Sequence, residues 1–399
     1  MIITSIGGAI RAGGIALLLA TSAGATAVAA DLPLARKAPP APPSDPSPFW
    51  VEIDALAWTV KGDHLPALVT TSPPGTPFAT AGTLGAPGTA VLFGDSTVND
   101  GWRAGGRITA GYWLDRAHTR AIEASFFDLQ DASTNFAASS NGSTILARPF
   151  VDATTNLQSA QLIAFPGVAS GSVAAGETSR LLGADLHFRQ DIGTYAGEHI
   201  SALIGYRYLH ASDRLGISDS QTALSGAFGV PAGTLLSASD AFDATSDFHG
   251  LDLGLTGAWV RGPWTLDWRA TVALGANLNS AHISGSSTTT LPGGVATTSP
   301  GGLLALSSNI GSYSQTRFAA VPELSLKAGY QLTSQWRLIA GYDVLYWTDV
   351  QRAGDLIDTT VNPNLLGGGP GGPPARPQAL LNTTSLLAQG FSLGARYGF

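Results

Sequence analysis

From residue 49 onward, apolar and polar residues alternate with a period of two. The clearest run is Trp264 to Asn279. Leu266, Trp268, Ala270, Val272, Leu274, Ala276 and Leu278 share one face, and Asp267, Arg269, Thr271, Ala273, Gly275, Asn277 and Asn279 share the other. A helix would scatter both sets around its circumference, whereas a strand separates them. The same split recurs over 102–114, 182–189 and 336–346. Weaker versions cover 49–60, 120–129, 199–210, 249–260, 316–330 and 386–399. These segments predict ten strands, with Pro322 marking a bulge or distortion in one of them.

Their spacing is informative. Short turns fall near 115–119, 190–198, 261–264 and 331–335, and long segments near 61–101, 130–179, 211–248, 280–315 and 348–385. Short and long connections alternate throughout, as in membrane barrels with short periplasmic turns and long external loops. That parity places both termini in the periplasm. The stretch 130–179 holds apolar runs at Ile145-Leu146-Ala147 and Leu162-Ile163-Ala164-Phe165, so a hidden hairpin would raise the count to twelve. The expected fold is all-β, a transmembrane antiparallel β-barrel of 10–12 strands with long extracellular loops.

Composition agrees. Charged residues make up 12% of the chain, against roughly 25% in soluble proteins. Beyond the N-terminus no run of about 18 apolar residues appears, so a spanning chain must close its backbone hydrogen bonds as a barrel. Residues 1–30 read as a signal peptide, with an apolar centre at Ile15 to Leu19 and small residues before Asp31. Residues 31–48 read as a proline-rich periplasmic linker and 49–399 as the outer-membrane barrel. Aromatic residues near strand ends, including Phe49, Trp50, Trp58, Trp102, Tyr112, Trp264, Trp336, Tyr346 and Trp347, predict girdles at the lipid–water interfaces. There is no cysteine, and the net charge of −7 argues against nucleic-acid partners.

The C-terminus alternates on one face through Phe391, Leu393, Ala395, Tyr397 and Phe399. This looks like the terminal signal that outer-membrane barrels present to the barrel-assembly machinery, which implies a role in assembly for Tyr397 and Phe399. A narrower likeness begins with Leu65-Pro66 and Val69-Thr70-Thr71-Ser72-Pro73. It continues through Gly75-Thr76-Pro77, Leu92-Phe93-Gly94, Gly105-Gly106-Arg107 and Gly111-Tyr112-Trp113-Leu114-Asp115. Together these resemble a family of porin-like bacterial outer-membrane β-barrel proteins. The resemblance implies localisation in the outer membrane and a barrel architecture. It brings no catalytic motif.

Seven histidines are scattered without metal-ligand spacing, so no zinc site is expected, and no other metal or cofactor either. The glycine-proline run 367–374 lacks the lysine of a phosphate loop and reads as a loop tip. The inward charges carry the functional question. Arg103, Arg107, Arg189, Arg207, Arg269, Lys327, Arg337 and Arg396 oppose Glu52, Asp54, Glu123, Asp185, Asp252, Asp267, Glu323 and Asp343. One reading is a water-filled eyelet passing small polar solutes by porin-like passive diffusion. Its foremost constriction residues are Arg103, Arg107, Arg269, Arg337, Asp267, Asp343, Glu323 and Lys327. The alternative is a closed structural or adhesive surface barrel, because a narrow barrel has room for little beyond its own side chains. A third reading is a surface enzyme using His210, Asp213, Asp247, His249 and His282 at the outer rim. It requires an Asp/His pair within hydrogen-bond reach around a cleft, and the expectation is that the chain is no enzyme.

Overall fold

The computed structural model describes residues 48–195, 198–369 and 371–398. The expected signal peptide and nearly all of the linker lie outside the described residues, as does Phe399. Ten long strands form the barrel. They are β1 (Phe49–Val60), β2 (Trp102–Trp113), β3 (Arg120–Ser140), β4 (Ala169–Tyr195) and β5 (Glu198–Ala223), followed by β6 (Leu235–Arg261), β7 (Trp264–Thr290), β8 (Gly311–Gln331), β9 (Trp336–Val350) and β10 (Thr384–Gly398). Each pairs antiparallel with its neighbours in the chain. The ring closes where β1 meets β10, with Trp50 opposite Gly398 and Asp54 opposite Gly394. Over the half nearest the short turns each of the ten described strands is paired on both sides, the condition for a sheet in lipid.

In the half of the barrel near the short turns, large apolar side chains point outward and are exposed, among them Ile53, Trp102, Leu186, Leu253, Leu338 and Leu393. The predicted alternation is therefore borne out there. The girdle needs correction where register turns a ring inward, as at Trp113, which is half-buried under Arg189. Trp50, Trp58 and Trp347 are buried, because each sits in the inward register of its strand, one residue out of phase with the lipid face.

The strands run far beyond the segments predicted. Much of 130–179, 211–248 and 280–315 is strand rather than loop. The reason is an inversion of the apolar face. On β5, Ile204 and Tyr206 point out, but higher up Leu215 and Ile217 point in and are buried. Above the lipid the outward residues turn polar, as in Arg180 beside Asp128 and Arg214 beside Asp243.

The apolar runs at 145–147 and 162–165 do not add barrel strands. They contribute to Leu146–Asp152 and Leu157–Ala164, which join Val69–Thr71, Ala90–Phe93 and Thr360–Val361 in a separate small sheet. The count is thus ten. Pro322 makes no bulge against β7, where it faces Val272. Instead the β8–β9 ladder begins at Glu323, next to the residue that lacks an N–H. Past that point, the Ala320 N–H donates to Thr348 Oγ1.

The long loops fold inward as a cap. Leu65, Leu68, Phe93, Phe150, Leu303, Leu306, Leu356 and Val361 pack against inward residues of β4 to β7, including Val173, Ile217, Phe242 and Ile283. Arg148 anchors the cap to the wall. Its guanidinium donates to Asp219 at 2.9 Å and to Asp240 at 2.5 Å, and Asp240 also accepts the backbone N–H groups of Leu303, Leu304 and Ala305.

Candidate functional site

The lumen is layered. Nearest the short turns lies a network of ion pairs. Arg107 Nε donates to Asp54 at 3.1 Å, and its two terminal nitrogens face the two oxygens of Asp343. Lys327 bonds Glu52 and reaches Asp54 at 2.9 Å. Arg396 joins Glu52 at 2.8 Å and lies over the Trp50 ring, 4.3 Å from its centroid. Arg269 and Arg189 share Glu123, the latter at 3.2 Å. Arg207 bonds Glu323 and lies 2.8 Å from Asp252. His187 bridges Asp185 and Asp252, 3.0 Å from each. Alternation on its own strand places it beside Asp185, whereas Asp252 lies two strands away and is met only when the sheet forms.

Seven of the eight predicted constriction residues join this network or its mouth. Arg337 sits 3.7 Å from Asp267 and donates to Gln331 at 3.1 Å. Arg103 stands apart. It donates to the carbonyls of Asn99 and Ser179 and to the Ser179 hydroxyl. The network leaves a cavity of about 90 Å³, lined by Glu52, Arg107, Glu123, Arg207, Arg269, Glu323 and Lys327 among others. That is room for a few waters.

An apolar layer lies directly above. It comprises Leu56, Trp58, Phe127, Leu181, Leu209, Phe248, Val321, Leu345, Trp347 and Leu386. Phe248 and Trp347 are 0% exposed and Trp58 is 1% exposed. Trp58 meets Phe127 with ring centroids 5.4 Å apart, and Phe248 meets Trp347 edge-on at 6.3 Å. Gly390 makes space for this packing. A Cβ there would lie 2.2 Å from the Ala57 carbonyl oxygen and 2.9 Å from Trp58 Cδ1.

At the rim, His210 Nδ1 is 2.9 Å from Asp247 Oδ1, which also accepts from the Tyr208 hydroxyl at 2.7 Å. His249 lies 2.5 Å from the Tyr206 hydroxyl. An Asp/His pair is thus within reach, but it points out from the wall. Asp213 points inward to Arg352, and His282 bonds Ser312. The rim set is split between the two faces of the wall rather than gathered around a cleft.

Above the apolar layer, three buried carboxylates, Asp63, Glu177 and Asp213, have ligand atoms within 4.8 Å of one another. Glu177 is fully buried beside the Asp63 and Asp213 carboxylates. No histidine joins this group. Tyr397, expected in assembly, pairs opposite Val51 and Trp336, its ring 4.8 Å from that of Trp336.

No curated protein matches the chain. Among solved structures, it is similar to the outer membrane protease OmpT from Escherichia coli at 10% identity and a TM-score of 0.39, covering 89% of this chain and 97% of that one. It is similar to an anion-selective porin from Comamonas acidovorans at 10% identity and a TM-score of 0.21, over 88% and 98%. It is also similar to the toluene transporter TodX of P. putida at 9% identity and a TM-score of 0.19, over 89% and 91%. The family model described as Putative beta barrel porin-7 (BBP7) matches residues 50–399, and the chain belongs to that family of porin-like β-barrels of the bacterial outer membrane.

Proposed function

We propose that this chain is a closed, non-catalytic surface barrel whose packed cap, rather than a standing pore, is its working surface. The observation that carries this reading is the layer of Trp58, Phe248 and Trp347 across the lumen. An ion entering an apolar layer gives up hydration without compensation, so such constrictions block conduction. The ion pairs beneath it satisfy one another rather than a passing solute. In this reading the termini and short turns face the periplasm and the five long loops face outward. Lipid surrounds the apolar band, and Tyr397 and Phe399 serve assembly.

The test is conductance of the refolded protein in a planar lipid bilayer, with its folding confirmed by heat-modifiable migration on a gel. A silent bilayer is the expected result. Steady, salt-dependent steps would overturn the closed reading in favour of passive diffusion of small polar solutes, a reading that the density of charge in the lower lumen favours. Arg269→Glu should then change the ion selectivity.

A further inference from the structure

We propose that Asp63, Glu177 and Asp213 form an oxygen-ligated divalent-cation site that ties the cap to the barrel wall. The three side chains come from distant parts of the chain. Asp63 lies in the first long loop, Glu177 on β4 and Asp213 on β5. Their ligand atoms lie within 4.8 Å of one another, close enough to converge on one ion of the size of calcium, which meets oxygen at about 2.4 Å.

Glu177 supplies the second, independent observation. It is 0% exposed, and no N–H or hydroxyl donor reaches either of its carboxylate oxygens. A buried carboxylate without a partner is unfavourable unless a cation or a proton neutralises it. Its neighbours are already committed. Asp63 accepts the Gly354 N–H at 2.6 Å, and Asp213 is held by Arg352. Arg352 in turn donates to the carbonyls of Lys61 and Gly62.

The donor set points to the kind of ion. Asp355 adds a fourth carboxylate beside Asp63, and Arg352, Arg103 and Lys61 face the group. Three carboxylates and no histidine or cysteine suit a hard cation rather than zinc. The site lies above the lipid band and is independent of whether the lumen conducts.

Calorimetric titration of calcium into the refolded, chelator-stripped protein tests this. Magnesium serves as a second probe, and heat-modifiable migration checks the fold. One calcium per chain should bind and raise the temperature of heat-modifiable unfolding. Glu177→Gln and Asp63→Asn, each confirmed folded, should weaken binding by about tenfold or more. Absence of calcium and magnesium binding at millimolar concentration would overturn the proposal. So would a folded Glu177→Gln protein that binds like the wild type, because the ion would then sit elsewhere. If one variant fails to fold, the other and the wild-type titration still decide.

Discussion

Arg107 on β2 crosses the lumen to Asp343 on β9 and meets it with two parallel contacts, Nη1 to Oδ1 at 3.3 Å and Nη2 to Oδ2 at 3.0 Å. The strands are not neighbours, since β1 and β10 lie between them. The pair therefore spans part of the barrel interior. The same guanidinium lies 5.9 Å from the Trp58 ring centroid, so the charged layer is locked onto the apolar layer above it. Arg107→Met would leave Asp343 and Asp54 buried with a cation removed. A loss of about 3–5 kcal/mol is expected from stranding one partner of such a pair. Adding Asp343→Leu should recover part of that loss. Denaturant midpoints of the heat-modifiable fraction would measure both, and an equal midpoint for single and double variants would contradict the coupling.

Trp347 is expected to be the seal's most costly single truncation. Trp347→Ala removes a fully buried ring between Phe248 and the β8–β9 wall, at about 3–5 kcal/mol. If the apolar layer is the barrier, the variant should also show bilayer current steps where the wild type is silent. A destabilised but silent variant would place the barrier in the cap instead.

The cap should come loose without the barrel. Arg148→Leu strands Asp219 and Asp240, both buried, at a cost of about 3–5 kcal/mol. Limited proteolysis should then cut within 141–168 faster than in the wild type. The barrel should still migrate as a folded, heat-modifiable species, because its ladder pairs do not involve Arg148. Loss of that species would show that cap and wall fold as one unit.

One pH effect is predicted in the turn between β2 and β3. The Thr119 N–H holds the Asp115 carboxyl below its ordinary range, with help from the Thr119 hydroxyl and the Arg120 N–H. With a lowered folded value, the turn's bonds are complete above the usual aspartate value of 3.8 and are lost as pH falls through the lower folded value. Amide resonances of Thr119 and Arg120 in micelles should therefore move in one transition below 3.8. Asp115→Asn should abolish it. A transition at or above that value would refute the assignment.

What the chain sequence decided by itself was the half of the barrel in lipid. Lipid rewards one chemistry on every second residue, so Leu266 to Leu278 declare their face without reference to any partner. The alternation of short and long connections then yields strand count and parity. The inward charges were legible for the same reason, being what remains on the other face. Above the lipid no solvent imposes that rule. The apolar face of β4 to β7 turns inward because the loops arrive to cover it, and a pattern keyed to lipid reads those strands as loop. Trp58 and Trp347 look like girdle residues until register turns them into a seal. Tertiary structure alone brings Asp63, Glu177, Asp213 and Arg352 together, since they share no local spacing and meet only when the first and last long loops fold onto the wall. Local alternation is a property of single strands in a layered solvent, whereas closure of the lumen and the carboxylate cluster depend on long-range packing that no one segment records.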